Sequence, residues 1–118
     1  MTQEDKDLLL KDLCARLPYG VKVQDELGRI NKLVIGNSDL NRLYYNDFST
    51  YSEEKLSLPY LFPLSSMTEE QHKEWLYTLS SDYHITYDTV DWCNKNHFDY
   101  RGLIEKGLAI NATGLNIY

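Results

Sequence analysis

The sequence predicts an α+β domain: an N-terminal helix, a small antiparallel sheet of three strands, then two or three C-terminal helices packed on one face of the sheet. Three observations predict this class. In the front half, short apolar runs alternate with turn residues, as strands do. In the back half, apolar residues recur at helical spacing. Between the halves, an apolar stretch stiffened by two prolines runs into a helix start.

The length of 118 residues fits a single domain, 1–118. We divide it into a helix-plus-sheet half (1–57), an extended strap (58–67) and a helical half (68–118). The apolar fraction of 42% is ordinary for a globular protein that buries a core. Ten tyrosines raise the aromatic fraction to 13%, and tyrosine serves both cores and recognition surfaces.

The first helix has clear signals at both ends. Thr2 is a good N-cap residue and Asp5 falls at the N3 position. Pro18 ends the helix, and Gly20 lets the chain turn. The apolar stripe that faces the core comprises Leu9, Leu10, Leu13, Cys14 and Leu17.

Three strands are predicted in the region that follows. Residues 21–24 and 29–35 form two of them, joined by a turn in which Gly28 supplies a positive φ. Residues 40–45 fit a third strand or a helix capped by Asp39, and we choose the strand because three connected strands bury more than two. Residues 46–55 are polar and aperiodic, which indicates a loop.

The strap contains Pro59 and Pro63, which lack an N–H and favour extended geometry in the residue before them. We therefore expect residues 58–64 to cover the core rather than pair as a central strand. Thr68 and Gln71 then form a capping box that starts a helix. Its predicted apolar face comprises His72, Trp75, Leu76, Leu79 and Tyr83.

Further helices are predicted towards the C-terminus. Thr86 or Asp88 caps one of them, and Asp99 caps a short one over residues 100–106. Gly107 fits a Schellman ending that pairs Leu103 with Leu108. Residues 108–118 form either a final short strand or a packed tail.

The charge balance argues against polyanionic partners. The net charge is −6, and residues 61–118 contribute −4 of it. A nucleic-acid backbone or an anionic membrane is therefore disfavoured as the main partner, although a local basic patch is still allowed. Cys14 and Cys93 are isolated, the N-terminus does not resemble a secretory signal, and no apolar run approaches about 18 residues. These features predict a cytoplasmic location with free thiols.

Three stretches carry a resemblance to a known family: residues 10–23, residues 59–70 and residues 94–109. The second reads PYLFPLSSMTEE and the third reads NKNHFDYRGLIEKGLA. They resemble a family of small uncharacterised proteins encoded in gut Bacteroidales genomes, often in phage-like or mobile regions. The resemblance covers most of the chain except residues 37–57. It implies a cytoplasmic bacterial origin and no particular chemistry.

The sequence offers few catalytic or metal-binding patterns. Cys93 and His97 are four residues apart and would share a helix face, as two zinc ligands or as a nucleophile and its base. Only His72, His84 and Cys14 remain to complete a site, and no second pair has metal-ligand spacing. Ordinary core or surface roles are therefore the favoured interpretation.

The remaining patterns also have structural explanations. Asp88 with Asp91, and Glu70 with Glu74, pair carboxylates on helix faces, but helix N-termini collect acids because of the dipole. No glycine-rich phosphate loop is present in the sequence. We therefore assign no catalytic, cofactor-binding or metal-binding residue.

One polar and aromatic segment fits a small recognition patch, for a phosphate or for an acidic group of a protein. The candidate residues are Trp92, Lys95, His97, Tyr100 and Arg101. The competing interpretation is a helix connection in which Phe98 fills the core and Asp99 caps.

Taken together, these patterns favour a non-enzymatic intracellular module for protein–protein interaction, of an accessory, mobile-element type. Such a module would bind a protein partner or associate with itself, and we expect neither a cofactor nor a membrane to take part. The alternative is nucleic-acid association through residues 95–101, and a small Cys/His or metal-dependent enzyme is a third possibility.

Overall fold

The computed structural model describes residues 2–24, 28–35, 43–45 and 58–118, and within them the α+β class is confirmed. The helices and strands, in chain order, are α1 (Gln3–Arg16), β1 (Lys22–Gln24), β2 (Ile30–Ile35), β3 (Leu43–Tyr45), β4 (Tyr60–Pro63), α2 (Glu69–Thr78), α3 (Tyr87–Lys95), β5 (Phe98–Asp99) and β6 (Ile110–Asn111). Short 3₁₀ turns span Leu17–Tyr19 and Leu64–Ser66. In the described part of the chain, no helix is both long enough and apolar enough to cross a bilayer.

The ends of α1 form as predicted. The Thr2 hydroxyl accepts a hydrogen bond from the Asp5 amide at 3.1 Å, and the Asp5 carboxylate accepts one from the Thr2 amide. This capping box satisfies amides that have no partner inside the helix. Pro18 lies in the 3₁₀ turn, and Gly20 follows at φ +72°, a left-handed conformation that glycine adopts at little cost.

The first sheet is antiparallel, with strand order β1-β2-β3. Val23 lies opposite Asn31, and Val34 opposite Tyr44. The strand interpretation of residues 43–45 is therefore correct, and Gly28 has the predicted positive φ. The loop predicted at 46–55 and the rest of segment 40–45 lie outside the described residues.

A second sheet corrects the prediction of one three-stranded antiparallel sheet. Its order is β5-β4-β6, and both pairings are parallel. The strap thus contains β4, which is the central strand of this sheet. The expectation that residues 58–64 would not pair as a central strand is therefore wrong. The Phe62 amide donates to the His97 carbonyl on one side, and the Ile110 amide donates to the Pro59 carbonyl on the other, both at 2.8 Å.

The position of the prolines explains why β4 tolerates them. Pro59 immediately precedes the strand and Pro63 is its last residue, so the missing N–H groups fall at its ends. A proline still has a carbonyl acceptor, and Pro59 uses it in the pairing with β6. Proline thus limits the length of the strand and does not prevent its pairing.

Helix α1 contacts both parts of the core. The first cluster lies between α1 and the antiparallel sheet and contains Leu9, Leu13, Val21, Val23 and Leu33. The second lies around β4 and contains Leu61, Leu103, Leu108 and Ala109, with Leu8 of α1 packed against it. The helix that covers the antiparallel sheet is therefore the N-terminal one, whereas α3 lies against α1 and β5.

The C-terminal half contains the two helices α2 and α3 and, in place of a third, a turn. Asp99 accepts hydrogen bonds from the amides of Leu103 and Ile104, both at 2.9 Å, as a helix cap would. However, Gly102 at φ +72° prevents a helix from starting there. The predicted Schellman bond from Leu108 N to Leu103 O does form, at 2.8 Å.

Candidate functional site

The residues of the predicted recognition patch mostly contact other parts of the chain. The Trp92 ring stacks on Phe98 with centroids 5.4 Å apart, and the His97 ring stacks on Tyr118 at 3.6 Å. Lys95 is exposed. Tyr100 and Arg101 are brought together, with the guanidinium 4.9 Å from the ring centroid. These contacts explain the residue types at four of the five positions through packing.

Arg101 belongs to a buried ionic network that the sequence did not reveal. Asp12 is fully buried; one of its oxygens accepts from Arg16 Nε at 2.9 Å and the other from Arg101 Nε at 3.1 Å. Arg16 is also fully buried, and it donates to the carbonyl of Phe98 at 2.6 Å. Buried charges need such partners, because each one left alone costs several kcal/mol. The network therefore ties α1 to the C-terminal half.

Cys93 and His97 do not share a helix face, contrary to the prediction. Helix α3 ends at Lys95, and His97 lies beyond it at φ +63°. Burial raises the pKa of the Cys93 thiol to about 11, which disfavours the reactive thiolate. Cys93 is 1% exposed and serves as a small apolar residue of the core.

The His97 imidazole is held neutral. Burial, with the positive charges of Arg16 and Lys22, lowers its pKa from 6.5 to about 4. Its Nδ1 atom has no hydrogen-bond partner within the described part of the chain. An imidazole with so low a pKa is a poor general base near neutral pH.

The other candidate ligands and carboxylates do not gather into a site. The described residues contain no group of three or more His, Cys, Asp or Glu side chains placed to hold a metal ion. His72 and His84 are exposed, and His72 stacks on Trp75. Asp88 and Asp91 are exposed too, and Asp91 accepts a hydrogen bond from the Tyr19 hydroxyl.

A shallow depression of about 450 Å³ lies at the start of α2, beside Leu64 and His72. The Thr68 hydroxyl accepts from the Gln71 amide at 3.1 Å, and the Gln71 side chain accepts from the Thr68 amide at 2.9 Å. The capping box thus already uses polar groups at this helix start. The depression therefore shows no feature that selects a ligand.

The most unusual surface of the described residues lies where α2 passes into α3. Five large side chains here are 40%, 90%, 77%, 67% and 95% exposed, in the order Leu76, Tyr77, Tyr83, Ile85 and Tyr87. We call these five side chains the hairpin tip. Single exposed apolar residues are common, but five within twelve positions point to an interaction surface.

Hydrogen bonds hold the hairpin tip in one shape. The hydroxyls of Thr86 and Thr89 both donate to the carbonyl of Thr78, at 2.7 and 3.0 Å, and so join the end of α2 to the start of α3. Within the connection, the Ser80 amide donates to the His84 carbonyl, and the Ser80 hydroxyl accepts from the His84 amide. The backbone that carries the tip is therefore held in a fixed shape.

Tyr83 adopts a left-handed backbone conformation with φ +60°. This conformation costs a residue other than glycine roughly 1–2 kcal/mol. The Tyr83 amide donates to the Ser80 carbonyl at 2.9 Å, so the closed turn imposes this conformation. Its ring, which is mostly exposed, gains little burial in return. Strain without compensating packing is common at functional surfaces.

Sequence reasoning assigned part of this surface to the core. Leu76 and Tyr83 were expected on the apolar face of α2, yet α2 has no buried residue. The feature of the sequence that could have indicated this exposure is the density of acidic residues, because residues 69–91 contain six carboxylates and one lysine. A helix that buries a face seldom has so many charges beside its apolar residues.

Searches with protein-family models, curated proteins and solved structures found no match to this chain. The resemblance to the Bacteroidales family therefore stays a prediction.

Proposed function

We propose that this protein is a non-enzymatic binding module whose hairpin tip docks onto another protein. The single observation that carries the proposal is the exposure of Tyr77, Tyr83 and Tyr87 within eleven positions around the connection between α2 and α3. Exposed tyrosines are enriched in protein interfaces, because a rigid ring supplies contact area at a low entropic cost.

The size of the tip fits the centre of an interface. A buried aromatic side chain removes about 150–250 Å² from water, so these three rings offer roughly 500 Å². A specific interface buries about 800 Å² on each partner. The tip would therefore supply its central anchors, with the neighbouring charged side chains as the rim.

The side chains that could act in catalysis or bind nucleic acid also support this proposal, because each is already engaged in contacts within the fold. Cys93 is buried as a thiol, His97 is held neutral against Tyr118, and Arg101 is paired with Asp12. These contacts weigh against the Cys/His enzyme and against nucleic-acid binding through residues 95–101.

The test compares proteins captured from a native lysate by three immobilised variants. The tip variant carries Tyr77→Ser and Tyr87→Ser, and the control carries Leu115→Ser, an exposed apolar residue outside the tip. We expect wild type and control to capture the same proteins in near-stoichiometric amounts, and the tip variant to lose at least nine-tenths of them, as hot-spot removal does. Equal capture by the tip variant, or no capture by wild type, would overturn the proposal.

A further inference from the structure

The negative charge of the protein is concentrated around the hairpin tip. Residues 69–91 carry a net charge of −5, out of −6 for the whole chain, so the rest of the protein is nearly neutral. Of these acids, Glu69 and Glu70 lie in the first turn of α2, where they stabilise the helix dipole. Asp88 does the same in the first turn of α3, whereas Glu74 and Asp82 lie in neither first turn.

Each exposed tyrosine has a carboxylate close to it in the chain. Glu74 precedes Tyr77 by three positions on α2, which places both side chains on one side of the helix. Asp82 adjoins Tyr83 and Asp88 adjoins Tyr87 in the chain, although consecutive side chains of a helix such as α3 do not face each other. All three carboxylates are exposed, and none has an ion-pair partner in the described part of the chain.

A ring beside a carboxylate is a combination that binds guanidinium or ammonium groups, through a cation–π contact and an ion pair. The interior of this protein shows the same combination. The guanidiniums of Arg16 and Arg101 lie 5.4 and 4.9 Å from the Tyr100 ring centroid, and Asp12 binds both. At the tip, rings and carboxylates occur within three positions of one another, and no cation of the described residues forms an ion pair or a cation–π contact with them.

We infer that the tip binds a cationic polypeptide segment, in which arginine or lysine side chains alternate with apolar ones. The inference rests on the proposed function and adds the chemistry of the partner. A second copy of this chain is a poor occupant, because it would bring one charge of −5 against another. Nucleic acids and anionic membranes are disfavoured by the same repulsion.

The experiment titrates the full-length protein with fluorescently labelled 12-residue peptides and measures anisotropy. The first peptide alternates Arg with Leu, the second alternates Gln with Leu, and the third alternates Glu with Leu. We expect the arginine peptide to bind at least tenfold more tightly than the glutamine peptide, and the glutamate peptide not to bind. Raising the ionic strength from 0.05 to 0.5 M should weaken binding of the arginine peptide about tenfold.

Two variants with equal changes of charge locate the binding site. The rim variant carries Glu74→Gln, Asp82→Asn and Asp88→Asn. Its control carries Glu4→Gln, Asp7→Asn and Glu105→Gln, which remove three exposed acids elsewhere. We expect the rim variant to bind the arginine peptide about tenfold more weakly, and the control to stay within twofold of wild type.

The outcomes separate this inference from the proposed function. Equal binding of the arginine and glutamine peptides, with loss of both by the Tyr77→Ser/Tyr87→Ser variant, would refute the cationic partner and retain the protein-binding surface. Equal effects of the rim variant and its control would also refute the inference, as would a failure of all three peptides to bind. Sedimentation that shows a dimer broken by the tip variant would identify a second copy as the occupant instead.

Discussion

At the scale of single residues, the most consequential feature is the carboxylate of Asp12. It is fully buried and forms ion pairs with two guanidiniums, one of which is itself fully buried. A buried ion pair is not necessarily a source of stability, but removal of one partner leaves an isolated charge. If Asp12 is lost, water cannot take its place beside the buried Arg16 guanidinium.

We expect Asp12→Asn to lower the free energy of unfolding by about 3–5 kcal/mol, because it leaves Arg16 charged and buried. Urea denaturation followed by circular dichroism measures the change. Asp7→Asn, an exposed substitution on the same helix, is the matched control and should change stability by less than about 0.5 kcal/mol. Equal effects of the two substitutions would contradict the role of the network.

His97 gives the folded protein a dependence on pH. Its imidazole has a pKa of about 4 in the folded chain, against 6.5 as the ordinary value. Between these two values the unfolded chain binds a proton that the folded chain does not, so stability falls as the pH is lowered from 6.5 to 4. The stabilisation that comes from the neutral His97 imidazole is complete above pH 6.5.

We expect this loss to reach at most about 1.4 kcal/mol per pH unit. His97→Asn removes the titrating group, and asparagine tolerates the left-handed backbone. Unfolding of both proteins should be measured from pH 4 to pH 7, and the difference between their pH slopes reports on His97 alone. Parallel stability curves would show that the imidazole titrates normally in the folded chain.

Tyr83 combines strain with exposure, so its replacement should separate stability from binding. Glycine removes the left-handed strain of roughly 1–2 kcal/mol, and it adds about 0.5–1 kcal/mol of backbone entropy to the unfolded chain. We therefore expect Tyr83→Gly to raise the unfolding free energy by roughly 0.5 kcal/mol and to weaken capture of the partner. A clear loss of stability would instead assign the ring a structural role.

At the scale of elements, β4 is the strand that organises the C-terminal half. It pairs with β5 on one side and with β6 on the other, and its Leu61 side chain is fully buried. The parallel pairs are only two residues long, so packing around Leu61 must supplement their hydrogen bonds. The element that looked like an external strap is therefore an internal part of the fold.

Amide hydrogen exchange tests the position of β4. We expect the amides of Phe62, Ile110 and Ala112 to exchange only through global unfolding, since each donates at 2.8 Å to a carbonyl of the neighbouring strand. The exposed amide of Asp82 serves as a fast-exchanging reference. Exchange of the Phe62 amide at a rate near that of Asp82 would mean that residues 60–63 lie on the surface without stable pairing.

At the scale of the whole molecule, Tyr118 joins the two sheets. Its hydroxyl accepts from the Lys22 amide of β1 and donates to the Tyr60 carbonyl of β4, both at 2.8 Å. Its ring contacts His97 and Phe62. Although the residue is 41% exposed, burial around the phenol raises its pKa to about 12, so the hydroxyl stays protonated and can donate.

We expect Tyr118→Phe to lower the unfolding free energy by about 1–3 kcal/mol. The substitution removes the hydroxyl and leaves its two partners, Lys22 N and Tyr60 O, unpaired. Tyr77→Phe makes the same chemical change on a ring exposed to solvent and should have no measurable effect. Thermal unfolding monitored by calorimetry provides the comparison. If both variants melt at the wild-type temperature, the Tyr118 hydroxyl does not hold the sheets together.

Several features of this fold could be predicted from short stretches of sequence. Thr2 and Thr68 start their helices as predicted, and Thr86, one of the two predicted caps, starts the third. Gly20 and Gly107 adopt the left-handed conformations that follow a helix or turn end. A cap or a turn depends on a few neighbouring residues, so it can be predicted from the residues in that window alone.

Of the candidate surface, the sequence revealed the tyrosine content but not its exposure at the hairpin tip, and the recognition patch that it suggested lies at residues 92–101. Lys95 through Arg101 looked like a surface because their side chains are polar. Tyr100 and Arg101 are instead held by Arg16 and Asp12, which lie more than 80 positions earlier in the chain. Periodicity likewise could not show that α2 leaves its large side chains exposed.

By itself, the sequence determined where the helices start, the antiparallel strands, the α+β class and the acidic balance, since each depends on local conformational preference or on composition. Only the tertiary structure decided that β4 pairs on both sides, that Asp12 and Arg16 are buried together, and that Tyr77, Tyr83 and Tyr87 remain in water. Those outcomes depend on which distant segments meet, and packing free energy, which is summed over the whole chain, selects among them.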